Sequence, residues 1–167
     1  SNSWALLGNS GTVAGTNFLG TTDNQDLIFK RNNVQSGKIS FTNVSLGVNA
    51  LSPSSPRNRN TAIGAEAMYL NTNGDDNTAI GYQALRTGTN GARNVAIGNN
   101  TLMVNTGNDN IAVGMQSLQS NTTGNNNVAV GRNSLYQNTS GSDNSAFGTQ
   151  SLQSNTTGNN NVAVGRN

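Results

Sequence analysis

The sequence predicts an all-β protein: a parallel β-solenoid of ~17-residue, two-strand coils with a small β cap or neck at its N-terminal end. Three observations predict it. A pentapeptide, Asn-x-Ala-aliphatic-Gly, recurs along most of the chain. Its closing glycines (Gly47, Gly64, Gly81, Gly98, Gly114, Gly131, Gly148 and Gly165) are spaced 17, 17, 17, 16, 17, 17 and 17 residues apart. A second apolar site follows four residues after the first seven of them, at Leu51, Met68, Leu85, Leu102, Leu118, Leu135 and Leu152. A short fixed period is the mark of stacked, interdependent units.

Residues 1–42 do not follow the period. They hold Trp4, three of the four Phe (Phe18, Phe29 and Phe41) and the basic pair Lys30-Arg31. Trp4–Leu7, Phe18-Leu19, Leu27–Phe29 and Ile39–Phe41 read as short strands between Gly, Asn and Asp turns. This segment is expected to be a separate cap that covers the first coil, whose open edge would otherwise invite pairing.

Residues 43–167 read as the solenoid. Asn-x-Ala-aliphatic alternates with period 2 and is far too short for a helix. The glycine after it supplies a bend that a side chain would obstruct. The Leu site, preceded by a small residue (Ala50, Ala67, Ala84, Thr101, Ser117, Ser134 or Ser151), reads as a second strand. A polar turn with Asn-Thr and Gly closes the coil. The one 16-residue spacing loses its residue in that turn, between Leu102 and Gly107, while Ser117–Asn133 recurs unchanged as Ser151–Asn167. Ser52–Asn60, with Pro53 and Pro56, reads as an enlarged loop.

One coil offers two sizeable aliphatic side chains, each contributing about 1.5–3 kcal/mol on burial. Fixing its backbone costs about 1–2 kcal/mol per residue. A lone coil therefore does not fold; stacking supplies the ladder hydrogen bonds and joins single aliphatics into columns. The expected structural ladder pairs Asn60, Asn77, Asn94, Asn110, Asn127, Asn144 and Asn161 with Gly64, Gly81, Gly98, Gly114, Gly131, Gly148 and Gly165. Stacked Asn side chains form amide ladders in such arrays.

Within the pentapeptide the Ala and the aliphatic residue point to opposite faces. The aliphatic column is expected to fill a buried face, yet the other face carries only Ser45, Ala62, Ala79, Ala96, Ala112, Ala129, Ala146 and Ala163. A strand restricted on both faces is covered on both. Either another chain covers the small-residue face, or a narrow coil interior demands small residues there. The pattern leaves open which face points inward.

Composition excludes several chemistries. The 167 residues include no Cys and no His, so disulfides, Cys/His zinc sites and imidazole or thiolate catalysis are ruled out. Charged residues are 10% and the net charge is +2, too sparse for a nucleic-acid footprint. No apolar run approaches a membrane span, and no cofactor or metal is expected. Asp76, Asp109 and Asp143 share one place in their repeats and read as solvated turn acids, so no enzyme activity is expected. A column of Thr (Thr72, Thr106, Thr122, Thr139, Thr156) raises ice binding, and a carbohydrate-cleaving spike is a further alternative. Tyr69, Tyr82 and Tyr136 in variable columns are the candidate surface contacts.

Asn-Thr-Ala-Ile-Gly, Asn-Val-Ala-Ile-Gly and Asn-Val-Ala-Val-Gly resemble the head repeat of YadA-like trimeric autotransporter adhesins. The fuller string resembles bacteriophage tail-fibre repeats. Its marks are Trp4-Ala-Leu-Leu-Gly-Asn9, Gly15-Thr-Asn-Phe-Leu-Gly-Thr-Thr-Asp23 and the Asn-Thr-Ala-Ile-Gly…Ala-Leu…Asn-Thr-Thr-Gly units. The resemblance implies a left-handed β-roll wound as a homotrimer, in a virion tail fibre or, alternatively, in the head of a trimeric adhesin on a bacterial cell surface or in an injection-system fibre. It implies other fibre or tail proteins and a host surface glycan or protein as partners, with no nucleic acid and no membrane insertion. The period of 17 exceeds that of typical adhesin heads, so the turn here is longer. The chain stops one strand into a repeat, as a piece of a longer fibre would.

Overall fold

The computed structural model describes residues 19–51, 59–88 and 90–167. They form one ten-stranded sheet whose strands lie side by side in chain order. β1 (Leu27–Arg31) and β2 (Val34–Ile39) make an antiparallel hairpin. Asn32 and Asn33 turn it with φ of 49° and 60°, the left-handed pair that suits a two-residue hairpin. β2 then pairs antiparallel with β3 (Val44–Leu46), joining the hairpin directly to the edge of the first coil.

From β3 onward every pairing is parallel, one strand per coil. The strands are β4 (Thr61–Ile63), β5 (Thr78–Ile80), β6 (Val95–Ile97), β7 (Ile111–Val113), β8 (Val128–Val130), β9 (Ser145–Phe147) and β10 (Val162–Val164). Register follows the repeat: Ala62 faces Ala79, Ala79 faces Ala96, and so on to Ala146 and Ala163. The shortened coil keeps it too, because Ala96 still faces Ala112. A deletion in a turn leaves strand pairing untouched.

Two expectations are corrected. The Leu segment is not a second strand. Met68, Leu85, Leu102, Leu118 and Leu135 have φ between 49° and 53°, and the residue two before each is also left-handed. That alternation breaks the pleat and turns the chain inward at each Leu. Coils still bond lengthwise here: Met68 N–H donates to Ala84 O at 3.0 Å and Leu85 N–H to Thr101 O at 3.0 Å. Left-handed Leu is sterically unfavourable by about 1–2 kcal/mol. Full burial of each side chain offsets it.

The second correction concerns the strand faces. The Ala column points inward and is fully buried from Ala62 to Ala146, whereas the aliphatic column points outward. The interior is narrow because the Leu wall already fills it, and only a methyl group fits opposite. Leu, Met and Ala from the two walls form one continuous core along the coil axis.

Of the N-terminal expectations, Leu27–Phe29 lies in β1, while the Ile39–Phe41 strand ends at Ile39 because β2 runs from Val34. Trp4–Leu7, Phe18 and residues 52–58 lie outside the described residues.

Candidate functional site

The expected ladder residues are brought together as columns. Asn77 accepts the Thr61 N–H on its backbone carbonyl at 2.9 Å, and its own N–H donates to Asn60 Oδ1 at 2.9 Å. Its Nδ2 donates to Gly91 O at 2.8 Å, tying the start of one coil to the end of the next. The same bonds recur at Asn60, Asn94, Asn110, Asn127 and Asn144, all but buried, and the N–H of Asn161 donates to Asn144 Oδ1 at 3.0 Å. Each amide thus satisfies backbone groups that a coil corner leaves orphaned, which is why the position tolerates no apolar substitute.

The glycine column sits where the strand leaves the wall. Its φ values run from 126° to 136°, a region closed to L side chains. A Cβ at Gly64 would also lie 2.5 Å from Gly81 O. Both conformation and spacing require glycine there.

A second Asn ladder escaped sequence reading. Asn121 Nδ2 donates to Asn105 Oδ1 at 2.6 Å, Asn138 to Asn121 at 2.8 Å and Asn155 to Asn138 at 2.9 Å. Each Nδ2 also reaches a nearby Gly carbonyl. Gly88 interrupts this column, and above it the Asn71 Nδ2 is buried without a partner. The signal was an Asn three residues after each Leu site, which turn preference explained equally well.

The outward face of the sheet is the most unusual surface. Ile63, Ile80 and Ile97 are each 37% exposed, against 0% for their inward neighbours Ala62, Ala79 and Ala96. Leu46, Val113, Val130, Phe147 and Val164 continue this row, and Val44, Val95, Ile111, Val128 and Val162 flank it in the first strand position. The result is one apolar row running the length of the solenoid, with a second beside it that Thr61, Thr78 and Ser145 interrupt. Soluble monomers rarely expose contiguous patches of this kind.

The three tyrosines are not brought together. Tyr82 is exposed, two residues beyond Ile80 at the edge of the apolar row. Tyr69 and Tyr136 share another column, four coils apart and half-buried. The Arg86 guanidinium lies 5.7 Å from the Tyr69 ring centroid and bonds Glu66 at 2.8 Å. Tyr69 also lines a cavity of 280 Å³ with Val34, Gln35, Asn49, Ala50 and Leu51, where the hairpin meets the first coil.

The turn acids pair lengthwise. Asp76 takes two bonds from Arg59, and Asp109 takes two from Arg93, both at 2.7 Å. The hydrogen bonds from Arg59 and Arg93 hold the two carboxyls below the usual carboxylate range. The Gln83 amide, and then Arg86, do the same for Glu66. Among the described residues no group of His, Cys, Asp or Glu is arranged to hold a metal ion. The hydroxyls of Thr106, Thr122 and Thr139 donate to the carbonyl of the Thr one coil on, at 2.7–3.0 Å. Among the described residues no helix is long and apolar enough to cross a membrane.

No family model, curated protein or solved structure matches this chain.

Proposed function

We propose that the chain is a segment of a homotrimeric fibre, a stiff rod that extends a phage tail fibre outward and contributes to host-surface attachment. The observation that supports it is the outward apolar row from Leu46 to Val164, one side chain per coil. Each half-exposed side chain offers about 1 kcal/mol on burial. That row repeats with every coil, so identical copies set side by side match one another rung for rung. Three is the number implied by the resemblance of the Asn-x-Ala-aliphatic-Gly repeat to trimeric adhesin heads.

The mechanism is mechanical. Seven coil-to-coil steps at the usual spacing of parallel strands extend roughly 34 Å. Bundling three such rods covers their apolar faces and leaves the polar turns outward. Any weak contact at Tyr69, Tyr82 or Tyr136 is then presented three times, which raises avidity without new chemistry.

Light scattering on the folded chain tests the assembly, with a mass of three times 17.3 kDa expected. The double variant Ile80→Lys, Ile97→Lys is expected to shift it towards monomer, because a charge on each rung disfavours the desolvated contact. A native chain that stays at 17.3 kDa over the working concentration range overturns the reading. Genes flanking the coding sequence test the biological setting. Tail or baseplate genes are expected, and a downstream coiled-coil stalk with a β-barrel anchor would assign the rod to a bacterial adhesin instead.

A further inference from the structure

We propose that Asn90 is a site of spontaneous deamidation, selected by the fold over the equivalent Asn-Gly pair at Asn73. The inference is independent of the fibre reading. The chain has two Asn-Gly dipeptides, Asn73-Gly74 and Asn90-Gly91, each preceded by Thr. Asn followed by Gly is the pair most open to ring closure, because no Cβ hinders the attacking backbone nitrogen. The tripeptides supply the same reacting atoms, while Asp75 and Asp76 follow Gly74 where Ala92 and Arg93 follow Gly91. Both asparagines are exposed and occupy the same place in successive coils.

The fold treats the two nucleophiles differently. Gly74 N–H donates to Asn71 Oδ1 at 3.0 Å, and two coils on Gly107 N–H donates to Asn105 Oδ1 at 3.1 Å. Attack requires the glycine nitrogen to give up its proton. An amide anion facing the lone pairs of a carbonyl oxygen is disfavoured, and the bond also fixes the peptide plane. Between these two coils the column holds Gly88, which has no side chain to restrain the Gly91 N–H.

The electrophiles differ as well. Asn73 Nδ2 donates to Asn90 Oδ1 at 3.1 Å. This bond draws electron density from the Asn90 Cγ and stabilises the negative oxygen that forms when it is attacked, as an oxyanion donor does. Asn73 thus activates its neighbour, while its own reaction is held back by Asn71.

The reaction balances with water as the only co-reactant. The Gly91 nitrogen loses its proton and bonds to the Asn90 Cγ. The Cγ–Nδ2 bond breaks, and the side-chain nitrogen leaves as ammonia. Water then opens the cyclic imide to aspartate or isoaspartate. The turn gains a negative charge, and the isoaspartate product also lengthens the main chain by one carbon in that coil.

Peptide mapping by mass spectrometry, with isoaspartate detection, on the native chain held at mildly alkaline pH tests this. Product at position 90 is expected to accumulate roughly three- to tenfold faster than at 73, the effect of one hydrogen bond. In denaturant the ratio is expected to fall to whatever the flanking charges alone maintain, below the native value. Asn73→Ala, an exposed change, is expected to slow reaction at Asn90, and Asn71→Ala to hasten it at Asn73, with circular dichroism confirming that each variant is folded. Equal rates in the native protein, faster reaction at Asn73, or an Asn90 rate unmoved by Asn73→Ala would overturn the proposal.

Discussion

The two walls of each coil use apolar residues in opposite ways. The strand wall turns Ala inward and Ile, Val or Phe outward, while the Leu wall turns its large side chain inward and presents polar turns to solvent. The strand wall is held by regular parallel pairing and a forced glycine exit. The Leu wall is held by packing, with its backbone bent into left-handed positions. The difference teaches where each wall's stability resides: the Leu wall builds the core of the chain, and the strand wall leaves its larger apolar side chains at the surface.

That contrast can be broken at several strengths. Gly114→Ala should have the largest effect. Its φ is 126°, and the new Cβ would lie 2.7 Å from the Gly131 carbonyl carbon. A loss of about 4 kcal/mol or more is expected in denaturant unfolding. A loss under about 1 kcal/mol would show that the exit from the strand wall is not rigid.

Next come paired deletions of similar size on the two walls. Leu118→Ala should cost about 2–5 kcal/mol, because the side chain is fully buried in the core. Val130→Ala on the strand wall, where the side chain is 36% exposed, should cost under about 1.5 kcal/mol in the isolated chain. It should instead weaken self-association in light scattering. Equal unfolding costs would erase the distinction between the walls.

The smallest effect concerns the ion pairs of the turns. Asp76, Asp109 and Glu66 have folded pKa values below their unfolded ones. Their contribution is therefore present above the ordinary carboxylate range, near pH 4, and is lost as pH falls through the depressed values. A melting temperature flat from neutral pH to about pH 5, then declining below about pH 4, is expected. Arg93→Gln should flatten part of the decline, and added salt should reduce it, since these pairs are exposed.

Much of this was legible from the repeat. The positions of all eight pentapeptide strands, their register and the Asn and Gly columns follow from the spacing, because in-register stacking is the one arrangement that aligns every equivalent residue. The direction of the faces was not legible. Period-2 alternation assigns Ile80 and Ala79 to opposite sides but is unchanged when the strand is flipped. The second Asn ladder was hidden for a different reason: an Asn such as Asn121 is favoured in a turn whether or not its amide bonds to the next coil. The left-handed Leu positions gave no signal, since side-chain polarity carries no information about the sign of φ.

By itself, the sequence determined that coils repeat, where each bends and which residues share a column, since periodicity is a property of order along the chain. Only the tertiary structure decided that Ala faces in and the aliphatic residue out. That choice depends on the width left by the Leu wall, a distance set by packing across the coil and written in no single repeat.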